Sequence, residues 1–422
     1  MASFLEDVEH EGSKEGTLPN IAHNTVEGTI FQPDELLPLW KAYRSWFSAR
    51  GIVLYELRRL IDYVPIEHWC APPVTASSPL PFATRLNPRS AETLGRPVRS
   101  KNGLGQDLLG NDVFIKLTDT HSNEHKINQY LLDLSRAQPN SKPSPFSYAL
   151  CPTAVLDSPH NFSFVVMPCW GARFRVEEFD CLRVVLIFIK CLLMGLSFLH
   201  EHRIAHRDIW EPNILVNGYC PDLEESQSKN IIKDHLQSPN LAFTLFDYDL
   251  SLQLPPDVSL KHCRLPSSEG DRGPFHFHPK DISLGEPEYN PFAFDVGCMG
   301  NMFLYHFAEA IRVVPELAVL FARMTTHVVD RRFTASEALT FFQDHFCDFP
   351  DDVLAIPLIL TPNFESLNDP EVYWSLLSTE DSERWKDFRV PRRSWSQRLL
   401  QWVADTELGW KLLRVVRGLL HI

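Results

Sequence analysis

The sequence has no C-x-x-C pair, no H-E-x-x-H, no G-x-G-x-x-G and no unbroken apolar run of bilayer-spanning length. Each absence removes a class of function. The nine cysteines (Cys70, Cys151, Cys169, Cys181, Cys191, Cys220, Cys263, Cys298 and Cys347) stand singly, so no zinc or dithiol redox centre is expected and they read as reduced, intracellular thiols. His200, His202 and His206 lie close together, but Ile204 stands where the second zinc histidine of the motif would be needed. His206 is instead expected to pack and hydrogen-bond inside its own turn. Lys and Arg are outnumbered 40 to 54 by Asp and Glu, a net charge of -14, which argues against a nucleic-acid partner because no broad basic face would displace phosphate counterions. The opening residues, MASFLEDVEHEGSKEG, lack the apolar core of a signal peptide. The most apolar run, Cys181 to Leu199, is broken by Arg183 and Lys190 and reads as a buried helix rather than a membrane span. An intracellular location, cytoplasmic or nuclear, is the expectation.

What is present centres on Ile204 to Val216, IAHRDIWEPNILV. Phosphoryl transfer needs a carboxylate to orient and deprotonate a hydroxyl, and oxygen ligands for the metal that neutralises the phosphates. Asp208 and Asn213 supply one of each, at the spacing of the signature H-R-D-L-x-x-x-N.

The flanks add to this in chain order. Residues up to about Val26 are polar and acidic, as in a flexible tail. From Pro33 to Leu60, Leu36, Leu37, Trp40, Tyr43, Trp46 and Phe47 recur at helical spacing and predict an amphipathic helix, followed by a Pro-rich connector, Cys70 to Pro81. Gly103 to Asp112, GLGQDLLGND, abuts the next strand directly, so it reads as a turn between strands rather than a phosphate-cradling loop. In the strand Val113 to Leu117, Lys116 is either an edge-strand lysine turned to water or a phosphate-holding lysine paired with a helix glutamate. For the second role Glu124, opening the helical run Asn123 to Leu134, is the sole local partner, although Asn128 is polar where an inward face would be apolar. Phe162 to Met167 reads as a buried strand, Pro168 to Gly171 as a hinge, and Phe179 to His200 as an amphipathic helix. Gly218 to Pro239 is acidic and polar, like an inserted loop. Phe243 to Phe246 is strand-like and ends at Asp247-Tyr248-Asp249, where Asp247 is either a solvated turn residue or a second metal ligand. Asp295 to Phe307 is an apolar helix, and Thr334 with Glu337 forms a capping-box signature.

Taken together, VFIKL, the Glu124 helix, AHRDIWEPNILV, FDYDLS, DVGCMG and DRRFTASEAL resemble a eukaryotic protein kinase from about Phe82 to Phe346. The chain is most similar to the kinase-like proteins with degenerate motifs found in fungi, whose flanks often carry a Trp-rich helical preamble. The resemblance implies an α+β, two-lobed protein kinase-like fold, with a small β-rich N-lobe, a larger helical C-lobe and helical extensions at both ends. Its divisions would be an acidic tail (1–30), a helical extension and linker (31–81), an N-lobe (82–168), a C-lobe (169–349) and a Trp-rich C-terminal extension (350–422). It further implies ATP and magnesium as cofactors: Lys116 on the α/β-phosphates, Glu124 holding Lys116, Met167 and Cys169 at the hinge where adenine stacks, Leu215 beneath the adenine, Asp208 as base, and Asn213 and Asp247 on the metal. Asp295 would brace the catalytic turn, and Arg331 or Arg332 would anchor the end of the activation segment.

The sequence departs from that pattern in four places. No glycine lid precedes Val113, Trp210 replaces the catalytic-loop lysine, Asp249 replaces the glycine of D-F-G, and His278-Pro279-Lys280-Asp281 stands for A-P-E without its glutamate. Three functions follow: a slow or atypical Ser/Thr protein kinase, a pseudokinase scaffold that binds partners with or without nucleotide, and a small-molecule phosphotransferase, against which DRRFTASEAL argues. The partner is then a protein substrate or binding protein. The last stretch aligns Leu412, Val415, Val416, Leu419 and Leu420 beside Lys411, Arg414 and Arg417. Packing of this helix on the protein's own helical part is expected ahead of contact with a membrane surface.

Overall fold

The computed structural model describes residues 18–20, 33–59, 67–72, 80–86, 96–97, 101–137, 148–171, 174–220, 225–270, 275–282, 286–392, 394–404 and 406–420. Nearly all of the expected acidic tail and most of the Pro-rich connector lie outside these described residues. The protein is mixed α+β, with an antiparallel sheet in its N-terminal half and a mostly helical C-terminal part. It divides into two compact units, the first of Met1–Leu132, Pro152–Cys169 and Cys220–Glu224, the second of Asp133–Cys151, Trp170–Tyr219 and Glu225–Ile422.

In the first unit, five antiparallel strands lie in the order Ile52–Leu54, Asn102–Asp107, Asp112–Asp119, Phe162–Pro168, Ala154–Asp157. The apolar run FSFVVM is buried at every position, which is why its strand sits inside the sheet. Lys116 pairs in register with Asn102 on one side and Val165 on the other, so its strand is central. The edge-strand reading of that lysine is thereby excluded.

The helical pattern expected over Pro33 to Leu60 stops at Ser48. Helices Pro33–Ala42 and Arg44–Ser48 are followed by Gly51 at φ 81°, a left-handed conformation glycine adopts at little cost, and the β-branched Ile52-Val53 then begins a strand. Trp40, Tyr43, Trp46 and Phe47 all face inward and surround Phe164, with ring centroids 5.6, 5.1, 5.6 and 4.7 Å from it. The GLGQDLLGND run is only partly a turn. Its first half is strand, and only Leu108 to Asn111 turn, closed by the Asp107 carboxylate accepting the N–H groups of Leu109 and Asn111, each at 2.9 Å. Gly103 is required by packing, since a β-carbon there would fall 2.8 Å from the Trp40 ring.

In the second unit, helix Leu182–Glu201 is, among the described residues, the one helix long and apolar enough to cross a membrane, and 72% of its most apolar window is buried inside the protein. Phe188 on this helix packs against Phe243 at 5.0 Å and Phe307 at 5.7 Å, joining it to the strand Phe243–Leu245 and the helix Pro291–Phe307. The Thr334–Glu337 capping box is formed and opens helix Ala335–Phe346. The segment expected to be an inserted loop holds a short strand, Gly218–Tyr219, and a helix, Glu225–Leu236. Of its described side chains, Ile232 and Leu236 are buried. Along the C-terminal stripe Leu412, Val415, Val416 and Leu419 are exposed, while Arg417 on the same helix pairs with Glu286 at 3.5 Å.

The aromatic cluster sets the first prediction. Trp40→Ala removes a fully buried ring that touches Phe47, Trp69 and Phe164, and costs about 3–5 kcal/mol in chemical denaturation. A loss below about 1 kcal/mol would show that the cluster does not hold the sheet.

Candidate active site

The turn after helix Leu182–Glu201 is built around one buried carboxylate. Asp295, fully buried in a helix whose first turn is capped by Asn290, accepts the backbone N–H groups of His206 and Arg207, both at 2.7 Å, and the His200 Nε2–H at 3.0 Å. Arg207 is held left-handed at φ 68°, a conformation costing a non-glycine residue roughly 1–3 kcal/mol and persisting where surroundings over-determine it. Its N–H on Asp295 and its guanidinium on Glu269, through the carbonyl at 2.7 Å and the carboxylate at 3.5 Å, do so. His206, wholly buried, accepts the Asp208 N–H at Nδ1 (3.3 Å) and donates Nε2–H to the Phe246 carbonyl (3.0 Å).

That last bond ties the turn to the next element. Ile214–Val216 and Phe243–Leu245 form a two-stranded antiparallel ribbon, both strands fully buried, with Ile214 opposite Leu245. The register continues through the Phe246 N–H on the Asn213 carbonyl at 3.2 Å, so Asn213 and Asp247 leave the same end of the ribbon. Asp247 is also left-handed, at φ 70°. Asn213 donates its side-chain amide to Asp208 Oδ2 at 2.6 Å and to the Asp208 carbonyl at 3.0 Å. Asp208 Oδ1 is buried without a hydrogen-bond partner among the described residues. Burial pushes the Asp208 carboxyl up from its ordinary 3.8; His206 and the Asn213 amide pull it down, and the Asp247 and Asp249 carboxylates add to the rise.

Asn213 and Asp247 thus present an amide and a carboxylate, hard oxygen donors, from neighbouring positions. Among the described residues no three His, Cys, Asp or Glu side chains converge as a metal site. A sparse oxygen set suits magnesium, which keeps waters and phosphate oxygens in its shell, better than zinc.

The other candidate residues fall in the first unit, Leu215 excepted. Lys116 and Glu124 are both buried and form a close ion pair between the central strand and helix Asn123–Ala137. Asn128, one turn on, is buried and donates to the Glu124 carbonyl at 2.9 Å, which accounts for a polar residue on that face. Met167 and Cys169 are buried at the end of strand Phe162–Pro168, the Cys169 N–H bonding to the Asp112 carbonyl at 3.0 Å. Leu215, in the second unit, is buried in the ribbon opposite Thr244.

Several polar residues at the site had no clear signal in the sequence. Glu211, next to Trp210, pairs closely with His306, and this partner holds its carboxyl below the ordinary range although burial pushes the other way. Of Arg331 and Arg332, Arg332 is the buried one: its guanidinium binds Asp281, the Ala293 carbonyl at 2.8 Å and the Thr326 carbonyl at 2.7 Å, while Arg331 faces solvent. Trp210 is half-buried, with its indole N–H buried and without an acceptor among the described residues; Asp249 is exposed. No family model matches this chain, and no curated protein matches it.

Burial of Asp208 makes a prediction about stability. Its folded carboxyl binds a proton more tightly than the unfolded chain's, so its destabilising effect is absent below 3.8, grows as pH rises through the raised value, and is complete above it. Asp208→Asn is therefore expected to melt at or above the wild-type temperature at neutral pH, with the difference shrinking toward acid. A variant that melts lower at neutral pH would contradict this.

Proposed function

We propose that the protein is an ATP- and magnesium-dependent phosphotransferase of the protein kinase type, with that family's two-lobed fold, acting on Ser or Thr hydroxyls of a protein substrate. The observation that carries the reading is Asp208: one oxygen fixed by Asn213, the other buried and without a partner among the described residues, in a turn immobilised by Asp295. A buried carboxylate oxygen left without a donor is costly unless a ligand provides one, and a hydroxyl does.

In this reading Asp208 Oδ1 accepts the hydroxyl proton as the substrate oxygen bonds to the γ-phosphorus. The bond to the bridging oxygen breaks, its electron pair leaves with ADP, and the proton passes on to solvent. The raised carboxyl makes Asp208 a stronger base than an exposed aspartate. Asn213 and Asp247 would hold magnesium, whose charge neutralises phosphate oxygens. Lys116, kept in place by Glu124, would hold the α/β-phosphates, with Met167, Cys169 and Leu215 against the adenine. Trp210 offers no positive charge to the phosphoryl group, so turnover is slow.

A second reading, a scaffold that binds partners with or without nucleotide and without turnover, draws on the same Trp210, whose indole N–H is buried with no acceptor among the described residues. Incorporation of labelled phosphate into a Ser/Thr peptide library with Mg-ATP separates the two. The phosphotransfer reading expects activity that falls ~10²–10⁴-fold in Asp208→Asn. Restoring a cation with Trp210→Lys is expected to raise the rate, by up to roughly 10²-fold. Label that persists in Asp208→Asn sinks the assignment of the base. Stabilisation by Mg-ATP in a thermal shift without any turnover, in wild type and Trp210→Lys alike, favours the scaffold.

A further inference from the structure

Three residues near the start of the chain, Leu18, Pro19 and Asn20, lie on the first unit, and side chains far from them in the sequence hold two of their carbonyls. The Leu18 carbonyl accepts the His160 Nε2–H at 2.8 Å, across 142 residues, and the Pro19 carbonyl accepts the Tyr43 hydroxyl at 3.3 Å. The Leu18 side chain is buried. Terminal segments keep one place only where something ties them down, and here the tie is an apolar side chain and two main-chain carbonyls.

Both donors are positioned by the unit itself and owe nothing to the segment they hold. Tyr43 is fully buried, its ring edge-on to Trp46 at 5.4 Å and to Phe164 at 5.1 Å. His160 stacks on Phe162 at 5.9 Å, its own N–H bonds to the Ser158 hydroxyl at 3.1 Å, and the Ser158 N–H closes the turn on the Phe162 carbonyl at 3.1 Å. Burial pushes the Tyr43 hydroxyl up to about 12, so it remains a donor through neutral pH. A site whose donors are already in place loses little freedom when it is filled.

The chemistry of what is held is equally specific. Proline has no N–H, so a site that offers donors to the carbonyls needs no acceptor at position 19, and the fixed φ of proline lowers the entropy lost on docking. The preceding leucine supplies the apolar side chain. Aromatic-lined sites that take proline-containing segments are a recurring mode of peptide recognition.

We infer that the first unit carries a docking site for a Leu-Pro peptide, built on Tyr43 and His160, which the chain's own residues 18–20 occupy in cis and from which a competing Leu-Pro segment displaces them. The inference stands independently of the phosphotransfer reading.

Fluorescence anisotropy with a labelled peptide of residues 14–24, KEGTLPNIAHN, tests it. The full chain is used, its own segment disabled by Leu18→Asp or, as a second variant, by Leu18→Gly with Pro19→Gly. Saturable binding is expected to either disabled chain, and about tenfold or more weaker binding to wild type, where the tethered segment competes at an effective concentration on the order of millimolar. In the disabled chain Tyr43→Phe, which keeps the ring and deletes the donor, is expected to weaken the peptide about two- to tenfold, and His160→Ala to do the same. A peptide carrying Leu18→Asp is expected not to bind. No saturable binding to a disabled chain that keeps the wild-type circular dichroism, equal binding to wild type, or indifference to both Tyr43→Phe and His160→Ala overturns the inference. So does a wild-type dimer that Leu18→Asp dissociates, which would make a second copy the host of the segment.

Discussion

The Asp295 carboxylate, fully buried, is the constraint on which the rest of the site depends. Removing a charge from water is expensive unless its lone pairs are met, and here two backbone N–H groups and one imidazole meet them. The donors come from the end of one helix and from the turn that follows, so satisfying Asp295 fixes the turn. From there the geometry propagates through His206 to Phe246, through Phe246 to Asn213, and through Asn213 to Asp208. Each link is a hydrogen bond between buried or half-buried groups, where directional polar contacts are stronger than in open solvent. Two left-handed residues, Arg207 and Asp247, sit along this path, and the strain at Arg207 is offset by the bonds that hold it.

Pairing between side chains far apart in the chain is a second theme. Arg332, with no side-chain exposure, binds Asp281. The pairing works because the guanidinium is also fixed by the carbonyls of Ala293 and Thr326, so its position does not rely on the carboxylate's reach. Glu211 and His306 form a comparable pair on the other side of Trp210. In both, a carboxylate is held by a partner far away in the chain.

These cases also show how much was legible in the sequence. Strong apolar runs were: FSFVVM gave a wholly buried strand, and the Cys181 to Leu199 run gave the core helix of its unit. Capping chemistry was as well, since Thr334 and Glu337 act within one helical turn. The candidate residues Lys116 and Glu124 are joined, and Asp208 with Asn213, because these are short-range pairings along the chain. Long-range partners were not. Glu211 and His306 are 95 residues apart, Asp281 and Arg332 are 51 apart, and no local pattern marks either pair. Weak amphipathicity hid helix Glu225–Leu236, and the end of the first helical pattern depended on a left-handed Gly51 that composition does not reveal. The C-terminal stripe was visible as a stripe, but periodicity reports that a face is apolar and says nothing of what covers it.

The electrostatics of the turn bear on how any phosphate could be handled there. Asp247 and Asp249 both raise the Asp208 carboxyl, so three carboxylates act on one another. The cations nearest in sequence are committed elsewhere: Arg207 binds Glu269, and Arg203 binds the carbonyls of Pro255 and Val258. Trp210, two residues beyond Asp208, brings no charge. A phosphate approaching this turn therefore meets net negative charge, and the compensating positive charge from this side must arrive with the ligand rather than from the loop. Under the phosphotransfer reading, that places an unusually large share of the stabilisation on the metal held by Asn213 and Asp247. It also makes a single lysine at position 210 a substitution with more to change than it would have in a turn already balanced.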